Sequence, residues 1–188
     1  MLWHAGASSV SICGIQLAKA AGAKAIYATV GSQEKVDFLE KELGVTKAFN
    51  YRTDDWATEI QTLSGNAGVD LTLDFVGPSY LARDLHAAGQ DGRIILLGLM
   101  GGRQLPEGVD FHTIVYKRLR VEGSILRGRD EEYQRQLRDK LVSHALPRFC
   151  GRTFKVYIER VFHFEEVKAA HELLESNTTK GKIICVIN

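Results

Sequence analysis

Short apolar runs alternate with amphipathic stretches along most of the chain. Runs such as AIYATV at 25–30 and RIILL at 93–97 place apolar side chains at successive positions, which is typical of strands buried on both faces of a parallel sheet. Between these runs, apolar residues recur at helical spacing, with polar residues on the opposite face. The alternation predicts an α/β fold with a doubly wound parallel sheet that binds ligands at the carboxyl ends of its strands.

The run lengths and the turn residues between them predict where each element lies. Strands are predicted at 1–4, 25–30, 48–51, 69–76, 93–97, 119–126, 154–158 and 182–187. Helices are predicted at 12–22, 32–44, 54–63, 79–88, 130–145 and 164–176. The pattern changes after Pro147, which predicts a boundary between a first domain at 1–146 and a second segment at 147–188.

Composition excludes several classes of protein. The 188 residues include 24 Lys and Arg against 23 Asp and Glu, and this balance argues against a dedicated binder of nucleic acids or anionic membranes. No apolar stretch approaches the roughly 20 residues that span a bilayer, and no secretory leader is recognisable. The three cysteines lack the spacing of a disulfide framework or a thiolate zinc site. We therefore expect a soluble cytoplasmic protein.

The segment GASSVS at 6–11 joins the first predicted strand to the first predicted helix. In dinucleotide-binding folds, the backbone N–H groups at this position bind the diphosphate, and the helix dipole favours its negative charge. Ser9 and Ser11 stand where the usual pattern has glycine, so a helix that is merely capped by serine fits the segment equally well.

The end of the second predicted strand bears on cofactor choice. Folds that prefer NAD place an Asp or Glu there for the ribose hydroxyls, whereas this chain has Gly31-Ser32-Gln33, with Lys35 one turn later. The Ser32 hydroxyl and the Lys35 ammonium are suited to a 2′-phosphate, which favours NADP. Alternatively, Ser32 only caps a helix and Lys35 is a solvated side chain. Tyr51 either flanks the adenine end or is a half-buried strand residue.

The remaining polar side chains give weaker indications. The glycine-rich turn at 98–102 permits close approach of a ligand, although such a turn needs none. Arg127 and Arg129 either face a ligand or are ordinary loop charges. No histidine shares a metal-ligand spacing with cysteine or carboxylate residues, so we predict no metal site and interpret all six as structural or surface residues. They are His4, His86, His112, His144, His163 and His171.

Several segments together resemble one protein family over essentially the whole chain. These are HAGASSVSICGIQLAK at 4–19, VGSQEK at 30–35, FNY at 49–51, LDFVG at 73–77, GRIILLGLMGG at 92–102 and ILRGRD at 125–130. They are similar to the zinc-free quinone oxidoreductase branch of the medium-chain dehydrogenase/reductases, in particular the p53-inducible type of NADPH:quinone reductase and the zeta-crystallins. The resemblance implies a Rossmann-type domain that binds NADPH.

The resemblance also implies which residues bind the cofactor. They are Ser8, Ser9 and Val10 at the diphosphate; Ser32, Lys35 and Tyr51 at the 2′-phosphate; Gly77 near the adenosine; Leu97, Gly98, Leu99, Met100, Ser124, Ile125 and Leu126 around the nicotinamide; and Asn177, with Gly181, in a returning C-terminal segment. Asn177 replaces a basic residue of some relatives, which weakens that contact. No side chain is identified as catalytic.

Family members begin with a GroES-like barrel, and this chain starts inside the first Rossmann strand. The segment at 147–188 is accordingly expected to be the C-terminal remnant of an incomplete catalytic domain. The implied activity is hydride transfer from NADPH to a quinone or another α,β-unsaturated carbonyl. The alternative is a non-catalytic module of the zeta-crystallin type that binds NADPH or RNA, although the charge balance makes nucleic acid unlikely. We also expect a homodimer through an edge strand at 120–125, and no membrane partner.

Overall fold

The computed structural model describes residues 1–187. Six strands form one parallel sheet in the order β3-β2-β1-β4-β5-β6. They are β1 (Leu2–Trp3), β2 (Tyr27–Val30), β3 (Lys47–Asn50), β4 (Val69–Asp74), β5 (Ala88–Leu96) and β6 (Arg120–Gly123). This order is that of dinucleotide-binding folds, and it reverses between β1 and β4, where such folds open their ligand crevice. The predicted doubly wound α/β fold is confirmed.

Eight helices and a further pair of strands complete the described part of the chain. The helices are α1 (Ser9–Ala20), α2 (Gln33–Phe38), α3 (Trp56–Leu63), α4 (Pro78–Ala87), α5 (His112–Tyr116), α6 (Glu131–His144), α7 (Leu146–Cys150) and α8 (Val167–Glu175). A π-helical turn at Leu39–Leu43 extends α2, and a 3₁₀ turn at Phe164–Glu166 precedes α8. The strands β7 (Ile158–His163) and β8 (Lys182–Val186) pair in parallel.

Side-chain caps explain where several helices begin. Ser32 and Asp55 lie at the N-caps of α2 and α3, and their side-chain oxygens accept hydrogen bonds from backbone amides three residues later. Such a cap satisfies an N–H group that has no partner inside the helix. Asp130 caps α6 in the same way, with a 2.8 Å bond from the Tyr133 amide. These short-range signals are the reason why the predicted helix starts lie close to the observed ones.

The chain forms two compact units. The first comprises Met1–Gly6 with Gly22–Arg129 and contains the six-stranded sheet; the second comprises Ala7–Ala21 with Asp130–Asn188 and contains β7 and β8. The predicted boundary at Pro147 lies within α7 and stays a prediction. In residues 1–187, no helix has the length and apolar character needed to cross a bilayer.

One core cluster of the first unit joins strands β1 to β4 to the helices α3 and α4. Trp56 and Ile60 of α3 are fully buried beside Leu2 of β1 and Phe49 of β3. Full burial of such a side chain contributes about 2–3 kcal/mol. A second cluster joins α4 to β5 through residues such as Leu85 and Ile94.

Three strand predictions were wrong in their bounds, and in one of them β6 ends at Gly123 rather than at residue 126. The strand predicted at 154–158 is absent, because β7 begins only at Ile158 and runs to His163. Exposed apolar and charged side chains alternate irregularly there, so the spacing of apolar residues does not indicate where the strand begins. Strand β5 starts at Ala88 rather than Arg93, since Gly89 and Gly92 are taken into the strand where close backbone contacts leave no space for a side chain.

Candidate functional site

The tip of β2 is where the sequence predicts recognition of a cofactor's ribose. β2 ends at Val30, and Ser32 then caps α2 by accepting a hydrogen bond from the Lys35 amide at 3.4 Å. Gly31 lies against Tyr51, because a Cβ built on Gly31 would come within 2.7 Å of the Tyr51 hydroxyl. The Tyr51 amide donates to the Val30 carbonyl at 2.9 Å. The structure therefore brings Ser32, Lys35 and Tyr51 to the same end of two neighbouring strands.

Arg52 is a cation at this edge that the sequence reasoning missed. Its side chain is exposed, and its guanidinium lies 5.9 Å from the centroid of the Tyr51 ring. Its amide donates to Asn50 Oδ1 at 3.2 Å in the turn after β3. Together with the Lys35 ammonium and the Ser32 hydroxyl, it offers groups that bind phosphate. Its position directly after a predicted strand end was the only signal.

The turn after β4 is held by the carboxylate of Asp74, the last residue of that strand. Its oxygens accept hydrogen bonds from the Val76 amide at 2.6 Å and from the Gly77 amide at 2.9 and 3.0 Å. Burial, together with the neighbouring Asp84 carboxylate, raises the pKa of Asp74. Gly77 has φ 86° and ψ −138°, a conformation open only to glycine. The sequence indicated Gly77 but not Asp74.

The loop after β5 runs beside this turn. The Met100 amide donates to the Phe75 carbonyl at 3.1 Å. The Leu99 side chain lies so close to Gly77 that a Cβ built there would come within 2.8 Å of Leu99 Cδ2. The loop contains four consecutive residues that were predicted to lie around the nicotinamide, namely Leu97, Gly98, Leu99 and Met100.

The segment after β6 continues the same edge of the sheet. The Ser124 amide donates to the carbonyl of Leu96, the last residue of β5, at 3.0 Å. The next two residues, Ile125 and Leu126, are 66% and 55% exposed. Met100 is 71% exposed. The loops after β5 and β6 thus carry an exposed apolar rim, which is suited to contact a flat, partly apolar ligand.

The second unit holds the other predicted residues. Ser8 caps α1 and accepts a hydrogen bond from the Ser11 amide at 3.2 Å, while Ser9 begins the helix and Val10 is 57% exposed. The Gly181 amide donates to the Ala7 carbonyl at 2.9 Å, as a returning segment requires. Asn177, exposed and with φ 57°, lies in the turn after α8. Both interpretations of the serine segment, a cap and a diphosphate site, stay open.

A buried polar cluster in the first unit was not foreseen. His4, at the end of β1, contacts Thr29 Oγ1 through Nδ1 at 2.7 Å and Asp84 Oδ1 through Nε2 at 2.8 Å. All three residues are almost fully buried, and the rings of Trp56 and Tyr80 meet the imidazole edge to face. The interpretation of His4 as a structural residue agrees with these contacts. Its partner Asp84 is 80 residues away in the chain, which no spacing rule reveals.

The same cluster contains three side chains of the types that bind metal ions. Ligand atoms of His4, Asp74 and Asp84 lie within 4.8 Å of one another. However, both His4 ring nitrogens already contact protein oxygens, and Asp74 accepts bonds from backbone amides. Zinc in a catalytic site needs ligand lone pairs and an open position for water or substrate. The arrangement therefore does not fit a catalytic zinc ion.

A separate open groove of about 790 Å³ lies beside the start of β5. Among the residues that line it are Gln61, Asn66, His86 and Lys117, and none of the predicted cofactor residues. The Lys117 ammonium donates to three backbone carbonyls at the end of α4, the shortest bond being 2.7 Å to Ala88. These bonds give Lys117 a role as a helix cap rather than as a ligand-binding group.

Comparison with known proteins identifies the family that this chain resembles. The zinc-binding dehydrogenase family model matches residues 9–143. Prostaglandin reductase 1 from Oryctolagus cuniculus is 32% identical over 194 residues, covering 96% of this chain and 55% of that protein. Escherichia coli quinone oxidoreductase complexed with NADPH is 27% identical, with a TM-score of 0.79 over 98% of this chain and 56% of that one. The CurK enoyl reductase, also 27% identical, has a TM-score of 0.78 over 100% and 54%.

The chain spans about half the length of these three proteins, and between 6% and 8% of the polyketide synthases that it also matches. The matched family model covers most of the chain, and the strand order is that of dinucleotide-binding folds. This chain therefore belongs to the zinc-binding dehydrogenase family, within the medium-chain dehydrogenase/reductase superfamily of NAD(P)-dependent oxidoreductases.

Proposed function

We propose that the protein acts as a zinc-independent, NADPH-dependent oxidoreductase whose hydride acceptor is a quinone or another α,β-unsaturated carbonyl. One of its relatives is a quinone oxidoreductase complexed with NADPH, and others are an enoyl reductase and a prostaglandin reductase. The whole range from quinones to enones shares one chemistry, the addition of hydride to a conjugated carbonyl system. The residues of this chain contribute the cofactor side of that reaction.

The observation that carries the proposal is the tip of β2. It presents the Ser32 hydroxyl and the Lys35 side chain without an acid at the strand end, and Tyr51 lies against Gly31. A carboxylate there would repel a 2′-phosphate, whereas hydroxyl and ammonium groups bind it. The Arg52 guanidinium adds a second positive charge at this edge. This chemistry supports NADPH over NADH.

We expect Lys35→Ala to weaken NADPH binding about tenfold and to leave NADH binding unchanged, because only NADPH carries the phosphate that the ammonium meets. The measurement is a titration of both nucleotides followed by nicotinamide fluorescence. Lys41→Ala is the matched control, since Lys41 is exposed and bound to Asp37 on the same helical segment. Equal affinities of the unmodified chain for the two nucleotides would refute the preference for NADPH.

The other end of the cofactor belongs, in this proposal, to the loops after β4, β5 and β6. A bound nicotinamide supplies the hydride; the protein's part is to orient the ring and keep water away. Leu99, Met100 and Ile125 offer the exposed apolar surface for this. We assign no general acid among the described residues. Since the chain spans about half of its relatives, we propose that full turnover needs the remaining part of such a protein.

We further propose that two copies associate through β6. This strand lies at the edge of the sheet, a position that commonly pairs with a strand of another chain, and Val121 is 37% exposed. Arg93 of β5 and Glu122 of β6 form an ion pair at 2.6 Å that fixes the edge. Light scattering at micromolar concentration should give twice the chain mass of 20.9 kDa. A monomeric mass would rule this association out.

A further inference from the structure

We infer that Asp74 is a positioning residue for the nicotinamide end of the cofactor, a role that rests on the proposed function. The Asp74 side chain is shielded from solvent, since the residue is fully buried. It acts through the turn that follows it. The geometry links its carboxylate, through two backbone amides and one glycine, to the Leu99 side chain on the rim.

The first link is the bond between the carboxylate and the turn. Two oxygens of Asp74 meet the amides of Val76 and Gly77, with three contacts of 2.6 to 3.0 Å. Hydrogen bonds to a charged acceptor are stronger than those between neutral groups. These bonds hold Gly77 at φ 86° and ψ −138°, far from the basins that the chain adopts by default.

The second link is the contact between this turn and the loop after β5. Leu99 Cδ2 occupies the place where a side chain on residue 77 would stand, at 2.8 Å from the built Cβ. The Met100 and Gly101 amides donate to the Phe75 and Val76 carbonyls at 3.1 and 2.8 Å, so the loop is bonded to the turn directly after Leu99. If the turn relaxes, the position of Leu99 on the rim changes with it.

The neighbouring Asp84 provides a matched control. Both carboxylates are fully buried, and they belong to one cluster with His4. Asp84 bonds to the His4 ring at 2.8 Å and makes no bond to the turn after β4 in residues 1–187. Asp74→Asn and Asp84→Asn therefore remove the same charge from the same buried cluster, but only the first replaces an acceptor of the turn by an amide N–H group.

The experiment measures two quantities on both variants. Amide hydrogen exchange of Val76 and Gly77, followed by NMR, should accelerate about tenfold in Asp74→Asn and stay unchanged in Asp84→Asn. The emission of NADPH bound to Asp74→Asn should move toward that of free NADPH, while its affinity changes less than about threefold, because the phosphate end is untouched. Asp84→Asn should keep the emission of the unmodified chain.

Leu99→Ala gives a second test that leaves the buried cluster intact, should Asp74→Asn fail to fold. It should reproduce the change in bound emission while Val76 and Gly77 stay protected. Faster exchange in Asp74→Asn with unchanged emission would overturn the inference, and so would equal effects of both asparagine variants or an unchanged emission in Leu99→Ala. If the unmodified chain binds no NADPH, the proposed function itself fails, which is a different result from binding that Asp74→Asn does not alter.

Discussion

Replacing His4 by leucine is expected to lower the free energy of unfolding by about 3–5 kcal/mol. The imidazole lies between Thr29 and Asp84 and gives the Asp84 side chain its one hydrogen bond among residues 1–187. Leucine has no polar atom to offer, so a fully buried carboxylate would lose its partner. Leaving such a group unsatisfied costs much more than the bond itself contributes. Chemical denaturation of both proteins measures the difference.

Two further variants separate this effect from simple repacking. His86→Leu, at an exposed position of the same unit, should change stability by less than about 0.5 kcal/mol. Adding Asp84→Leu to His4→Leu should recover part of the loss, because the carboxylate is removed together with its partner. A double variant that is less stable than His4→Leu would contradict the account of the cluster as a paired unit.

Gly68→Ala is expected to cost more than about 3 kcal/mol, which corresponds to a fall of about 10 °C in Tm. Gly68 precedes β4 with φ 72°, where a side chain is strained. A Cβ there would also lie 2.6 Å from the Gly89 nitrogen and 2.7 Å from the Ala87 oxygen. Because both atoms belong to the backbone, β4 and β5 would have to separate to admit a methyl group.

Gly65 supplies the matched control three residues earlier. It has φ 62°, and a Cβ built on it meets nothing within 4 Å. Gly65→Ala therefore carries the backbone strain alone and should cost about 1 kcal/mol. Thermal unfolding of both variants under the same conditions separates the cost of backbone strain from the cost of moving β4 and β5 apart. Equal losses would show that strand separation contributes nothing at residue 68.

Much of the candidate site could be predicted because its signals are local. Ser32 was indicated as a helix start by residue type and position, and it lies at the N-cap of α2. The lack of an acid after β2 is a property of three consecutive residues. Tyr51 was indicated by the end of a strand, and its contact with Gly31 agrees with that position. The roles of these residues toward a cofactor stay predictions until the nucleotide titrations are made.

Other parts escaped prediction for a physical reason. In the sequence, Asp74 is one polar residue near the end of a predicted strand. Nothing local shows that its carboxylate accepts hydrogen bonds from the amides of Val76 and Gly77. Arg52 reads as a loop charge until Tyr51 is placed beside it. The predicted strand at 154–158 was wrong because β7 is mostly exposed, with only Phe162 buried, and such a strand has no clear period of apolar residues.

The sequence by itself determined the fold class and the starts of α2, α3 and α6, since the spacing of apolar residues and the capping side chains act over a few positions. It missed the short helices α5 and α7. Only the tertiary structure decided which strands are neighbours, and with them the long-range contacts. The sheet order places His4 beside Asp84 and Gly68 beside Gly89. Contacts of this kind depend on the packing of the whole sheet, because burial makes an unpaired charge or an added methyl group costly only after the strands have met.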